Sequence, residues 1–392
     1  MNERMSKGAN VQSNSETTFN APLKTKKPLC IRQICLFFIA FLPVTKLFTL
    51  PSVLAETAGR DSWLSALVVL STDVLTAFFI ALAMKKENAD FPTLCERYFG
   101  KVGLKIIYSV YLVSFLLKAI LPITEQRDYV NLTLYVTRPD LWIFLPFFII
   151  AFYLCTKKLR ALGRCAEIFF IITLAGLTFI IVLAVPNFDA GALLPVGVSG
   201  AKSVFSGAYR AVPWFGDCVY LALITGNEKK EKLQTLKITL AYSAAALGVL
   251  IFLAVFYGTF SAIAFRQRFA LTEMSKYSAV INNVGRLDYL AIFMILSSGV
   301  ISAILPLYFA ARIAEKLFNI KQRWVCPVAA AVLSVVPVLF LTEYYAGMEK
   351  FLTTAGSALF ILTNNVFPFA LSVITIIKNG VKTRKKETNE IS

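Results

Sequence analysis

The chain has 392 residues, 57% of them hydrophobic and only 16% charged, with a mean hydropathy of +0.67. A soluble domain carries roughly 25% charged residues, so this balance excludes an ordinary water-soluble fold and fits a lipid-facing one. The formal charge of +17 does not point to nucleic acid, because Lys and Arg sit in short clusters between apolar runs, as the positive-inside rule produces, and not along one polar face.

In chain order, Met1–Pro28 is polar and rich in Ser, Thr, Asn and Lys. It lacks the apolar core of a cleaved signal peptide and reads as a disordered cytoplasmic tail. Apolar runs then fall near 30–56, 62–84, 103–123, 140–156, 161–185, 203–225, 237–262, 287–317, 325–342 and 354–377. A membrane helix needs about 20 mostly apolar residues, so these runs predict ten transmembrane helices in an all-α integral membrane domain over 29–378. A basic tail, 379–392, follows it. Three loops carry amphipathic patterns that predict short helices: Phe91–Lys101 at the inner face, Thr124–Val136 at the outer face, and one within Phe265–Gly285.

Most of the Lys and Arg residues fall on one side of this arrangement. They include Lys24, Lys26 and Lys27, Lys85 and Lys86, Lys157 and Lys158, Lys229 and Lys230, Arg312 and Lys316, and Lys382 to Lys386. That asymmetry puts both termini in the cytoplasm.

Two runs contain helix breakers in mid-span. The first reads Pro43-Val44-Thr45-Lys46-Leu47-Phe48-Thr49-Leu50-Pro51, where Pro43 removes a helix donor and Thr49 before Pro51 marks a fresh start. The sixth reads Tyr209-Arg210-Ala211-Val212-Pro213-Trp214-Phe215-Gly216-Asp217. Unwound backbone at membrane depth survives only where it is buried in protein or lines a cavity. Runs one and six hold equivalent positions in two halves, about 29–185 and 200–378. A five-helix repeat must insert the second time inverted, so the pattern predicts a 5+5 inverted repeat with a midplane site between its two broken helices. The second arm of each would aim its positive dipole end at the membrane centre and favour a carboxylate.

Candidate ligand-binding residues are therefore Val44, Thr45, Lys46, Leu47, Phe48, Arg210, Val212, Pro213, Trp214, Phe215, Gly216 and Asp217, with Ser298 of the eighth run. Lys46 suits a carboxylate and Asp217 an ammonium group; a structural Lys46–Asp217 or Lys46–Asp73 ion pair is the alternative, since a lone buried charge costs several kcal/mol. Asp73, Lys46 and Asp217 form a candidate ion or proton site. Lys118 and Arg210 read as snorkelling residues near the outer face, and Glu167 as the partner of an inner-side cation. Ser298 belongs to a polar patch with Ser297, Gly299 and Ser302 that serves helix packing or lines a cavity.

The chain has no histidine. The cysteines Cys30, Cys35, Cys95, Cys155, Cys165, Cys218 and Cys326 have no zinc spacing and read as free thiols on the reduced side. No metal, cofactor or catalytic set is expected, and the chain reads as a non-enzyme.

Several segments resemble a known family in order and spacing: Leu50-Pro51-Ser52 with Ala55 and Ala58-Gly59-Arg60-Asp61-Ser62-Trp63-Leu64, the stretch LRALGRCAE ending at Glu167, Pro186-Asn187-Phe188-Asp189, Leu194-Pro195-Val196, and Gly207–Gly216 ending at Asp217. On these the chain, over about 29–378, resembles the B subunits of GerA-type germinant receptors, the spore germination permeases of the amino acid–polyamine–organocation superfamily. The resemblance implies a LeuT-like fold with a small nutrient, an amino acid first among candidates, between spans one, three, six and eight. It also implies residence among the lipids of the spore inner membrane beside an A-type membrane subunit and a C-type lipoprotein. A glycine is common in that family where Val44-Thr45-Lys46 stands here, and the lysine implies a different germinant or a filled cation site. A nutrient sensor and an amino-acid or cation-coupled permease would share this architecture.

Overall fold

The computed structural model describes residues 29–86, 90–133, 149–224, 226, 229, 231–276, 288–320, 322, 324–340 and 345–391. The tail Met1–Pro28 and the first part of the run 140–156 lie outside the described residues.

Among the described residues the fold is helical, without an extended strand. In order the helices are α1 (Ile31–Phe41), α2 (Leu50–Ala58), α3 (Ser62–Lys86), α4 (Phe91–Thr133), α5 (149–156), α6 (Leu159–Ala184), α7 (Gly200–Ala211), α8 (Cys218–Ile224), α9 (Gln234–Phe260), α10 (Ala270–Lys276), α11 (Asp288–Leu317) and α12 (Val325–Phe340). A last helical run comprises α13 (Tyr345–Phe351), α14 (Ser357–Phe360) and α15 (Phe367–Ile391), joined by π-helical turns at Leu352–Gly356 and Ile361–Val366.

Six stretches of the described chain are long and apolar enough to cross a bilayer: Leu50–Lys86, Phe91–Tyr129, Leu159–Asn187, Gln234–Arg266, Ile292–Leu317 and Gly347–Asn379. Large apolar side chains stand outward along them, Ile171 at 66% and Phe293 at 70% exposure, which only a lipid solvent tolerates at this density. The chain is an all-α, multi-pass membrane protein.

The two runs with breakers do not reach spanning length as single helices, because each is divided. α1 ends at Phe41, a 3-10 turn covers Val44–Lys46, and α2 restarts at Leu50 with Pro51 in its first turn. α7 ends at Ala211, a 3-10 turn covers Val212–Trp214, Phe215 is extended, and Gly216 takes φ 76° before α8 begins at Cys218. A Cβ on Gly216 would sit 2.5 Å from Asn364 Cβ, so both the left-handed backbone and the close approach require glycine. α12 has 16 residues.

Packing gathers these breaks at the centre. α1 packs on α6 and α9, α2 on α7, α3 on α9 and α7, and α11 on α4. Gly207 of α7 lets that helix close on its neighbours, since a Cβ there would meet Ser65 Oγ at 2.7 Å and Ala58 Cβ at 3.2 Å. The carboxylate of Asp61 accepts from the Gly197 and Ser199 amides at 2.8 and 2.7 Å, pinning the turn that leads into α7.

Two of the loop expectations hold. α10 forms inside Phe265–Gly285, and Gly100 (φ 73°, ψ 178°) separates the turns beginning at Phe91 from the rest of α4. The third does not. Thr124 onward continues α4 to Thr133 instead of forming a separate helix, and Pro122 is absorbed within it. The seven cysteines are free thiols.

Candidate functional site

The breaks bring Lys46 and Asp217 together. Lys46 Nζ lies 2.5 Å from Asp217 Oδ2 and is fully buried. It also donates to the Leu42 carbonyl at 2.8 Å, the last turn of α1 having no helix partner for it, and to Thr45 Oγ1 at 3.4 Å. The Phe215 ring stands 5.3 Å from the same ammonium. Of the two ion pairs the sequence allowed for Lys46, the one to Asp217 forms; Asp73 is engaged elsewhere.

A second lysine completes the cluster. Lys118 of α4 is 6% exposed and approaches Asp217 Oδ1 at 3.3 Å while donating to the Phe215 carbonyl. The expectation that Lys118 snorkels to the outer face is wrong. It rested on a span ending near 123, whereas α4 runs to Thr133, which puts position 118 deep within the helix.

Behind the second break lies a neutral-donor nest around Asp73. Its Oδ2 accepts from the Gly216 amide at 2.7 Å and from the Tyr242 hydroxyl at 3.3 Å, and its Oδ1 from Asn365 Nδ2 at 2.6 Å. Asn364 and Asn365 face inward together because the π turn Ile361–Val366 widens the helix there. Tyr111 donates to the Thr363 carbonyl at 2.6 Å, and the Ser114 and Thr363 hydroxyls meet at 2.9 Å, tying α4 to the same turn.

Two turns beyond Lys118 on α4, Glu125 Oε1 accepts from Trp214 Nε1 at 2.7 Å and from the Thr49 hydroxyl. Glu125 thereby joins the ends of both breaks to α4. It is 1% exposed, and its Oε2 has no hydrogen-bond partner among the described residues.

A cavity opens against the ion cluster, walled by Phe37, Phe38, Phe41, Tyr220 and Leu305 on its apolar side and by Thr45, Lys118 and Asp217 on its polar side, with Pro213, Trp214 and Ser302 completing it. It encloses about 20 Å³, room for little more than a water molecule. Tyr220 stacks on Phe309 at 5.0 Å and on Phe115 at 5.9 Å, which fixes that wall.

Of the residues singled out in the sequence, Thr45, Pro213, Trp214 and Asp217 line the cavity, and Lys46 and Phe215 stand directly behind it. Val44, Leu47 and Val212 are buried core, and Phe48 packs edge-on against Tyr129 at 5.4 Å. Arg210 is apart from the cavity and reaches Thr57 Oγ1 at 3.4 Å. Ser298 accepts from Thr173 at 2.7 Å and serves packing, while its neighbour Ser302 lines the cavity. Glu167 pairs with a cation, Arg32, at 2.7 Å.

Sequence reading missed Lys118, Glu125, Tyr242 and Asn365 as members of the site. A signal existed for two of them: Tyr111, Ser114, Lys118, Leu121 and Glu125 recur at helical spacing and form one polar-edged stripe. Tyr242 and Asn365 carried none, since their position follows from packing and from a π turn.

A family model described as spore germination protein matches residues 29–345, well over half of the chain. No curated protein matches it. That match covers most of the chain and shows its group: it belongs to the spore germination permease family.

Proposed function

We propose that this chain is the nutrient-sensing, non-catalytic subunit of a spore germination receptor. In this reading it crosses the membrane ten times as two inverted halves of a LeuT-like fold, with both termini cytoplasmic, in the spore inner membrane. A small nutrient, an amino acid first among candidates, binds in the cavity between spans one, three, six and eight. An A-type membrane subunit and a C-type lipoprotein are its partners.

The observation that carries the reading is the cavity itself. It lies where two broken helices meet, with a buried ion pair across the breaks and aromatic walls from α1 and α8. Irregular backbone at such depth accompanies ligand sites in transporter folds. The arms also support inversion: α2, the second arm of the first broken helix, packs on α7, the first arm of the other. Because the cavity holds little more than a water molecule, admitting a nutrient requires the arms to move apart. That movement is the signal a partner subunit would read.

The same geometry suits a permease that carries its ligand across. Two measurements on the purified full chain separate these readings: equilibrium binding of labelled amino acids, sugars and nucleosides, and their flux into proteoliposomes. Saturable binding without flux supports the sensor. Flux favours the permease, and absence of any saturable binding overturns both.

A further inference from the structure

Three ionised groups meet at the breaks, and their hydrogen-bond capacity differs. An ammonium has three donors and a carboxylate two oxygens. Lys46 spends its donors on Asp217, the Leu42 carbonyl and Thr45, all within the protein. Asp217 has Oδ2 on Lys46 and Oδ1 on Lys118, so neither oxygen is left without a cation. Lys118 differs. It uses two donors, on the Phe215 carbonyl and Asp217, and its side chain lines the cavity. The Thr45 hydroxyl, which accepts from Lys46, keeps its own proton and lines the same wall. Two further carboxylates are buried near the breaks, Asp73 under Gly216, Tyr242 and Asn365, and Glu125 under Trp214 and Thr49, and neither is part of the wall.

The polar wall therefore offers donors and no uncommitted carboxylate. We propose that Lys118, helped by the Thr45 hydroxyl, recognises an anionic group on the ligand, so that the ligand class is a small carboxylate with an apolar body and its carboxylate, not an amino group, is obligatory. This rests on the nutrient site proposed above. The apolar body would lie against Phe37, Phe38, Phe41, Tyr220 and Leu305. A ligand ammonium would have to displace Lys46 or Lys118 from Asp217, whereas a carboxylate completes Lys118 without breaking an existing pair.

The test uses the full chain in detergent or nanodiscs and three probe families. Alanine, leucine and phenylalanine are each compared with their amide and with their des-amino acid (propanoate, 4-methylpentanoate and 3-phenylpropanoate). For whichever family binds, the amide should lose at least tenfold in affinity while the des-amino acid stays within a few-fold of the amino acid. Lys118→Gln should remove the preference for acid over amide, and Lys118→Arg should retain it. The wild-type comparison decides the matter even if Lys118 variants do not fold. An amide that binds as well as its acid, a des-amino acid that fails where the amide binds, or an unchanged acid preference in folded Lys118→Gln overturns this inference while leaving the nutrient site standing. Failure of every probe family to bind, alongside failure of the broader nutrient panel, overturns the site reading and this inference with it.

Discussion

Asp217→Asn is the most informative single perturbation, because one carboxylate serves two buried ammonium groups. Lys46 is fully buried at 2.5 Å from Asp217, and Lys118 is 6% exposed at 3.3 Å. Removing one member of a buried pair costs about 3–5 kcal/mol, since it strands an uncompensated charge. Charges at the centre of a membrane helix are penalised by about 2.5–3.5 kcal/mol on insertion scales, which sets a comparable size. Here Lys46 keeps the Leu42 carbonyl and Lys118 keeps the Phe215 carbonyl, so the expected loss sits near the lower end, about 3 kcal/mol. Lys46→Met should cost less, because Asp217 retains Lys118. The double variant Lys46→Met/Asp217→Asn should be less destabilised than the two single losses added together, by about 2 kcal/mol. Equilibrium unfolding of the purified chain in mixed micelles, followed by tryptophan fluorescence, reads all three. Additive losses, or a loss for Asp217→Asn below about 1 kcal/mol, would refute the claim that the ion pair holds the two breaks together.

Further outcomes follow from the same geometry. Gly216→Ala should destabilise by about 2 kcal/mol or more, from a left-handed backbone and a Cβ pressed on Asn364, and the same unfolding measurement checks it. Trp214→Phe should cost about 1–3 kcal/mol by leaving buried Glu125 short of a donor, and its effect should not add to that of Thr49→Val, which a double-variant unfolding cycle tests. Arg210→Ala should leave the nutrient dose dependence of germination unchanged, because Arg210 bonds Thr57 away from the cavity; a shift in the half-maximal dose would contradict that placement. Gly207→Leu should lower the yield of folded protein, since even a Cβ there meets Ser65 at 2.7 Å.

Much of the architecture was legible because membrane helices obey a length rule that composition reports directly. The runs starting near 62, 161 and 237 begin and end within a few residues of α3, α6 and α9. The breaks were legible because Pro43, Pro51, Pro213 and Gly216 act on their own backbone, whatever surrounds them. What pairs with what was only half legible. Lys46 and Asp217 could be matched because each lone charge needs a partner at the same depth. Lys118 was misplaced by an error in the end of α4: hydropathy falls off at Thr124, but Glu125, Gln126 and Arg127 are buried by neighbours and the helix continues. Arg210 was drawn into the site by proximity to the second break and Ser298 by its polar patch, yet a helix turns each toward another neighbour. The Asp73 nest depends on a π turn more than a hundred residues away from its other donors, which no local pattern encodes.

The central claim is that a nutrient binds where the two broken helices meet, and filling that cavity tests it most directly. Ser302 lines the cavity from α11, while Leu174 on α6 is 48% exposed on the outer surface of the bundle. Spores carrying Ser302→Trp should lose nutrient-triggered germination, and the purified variant should lose saturable binding while still unfolding cooperatively. Leu174→Trp should leave both intact. Undiminished binding by a folded Ser302→Trp chain would contradict the account.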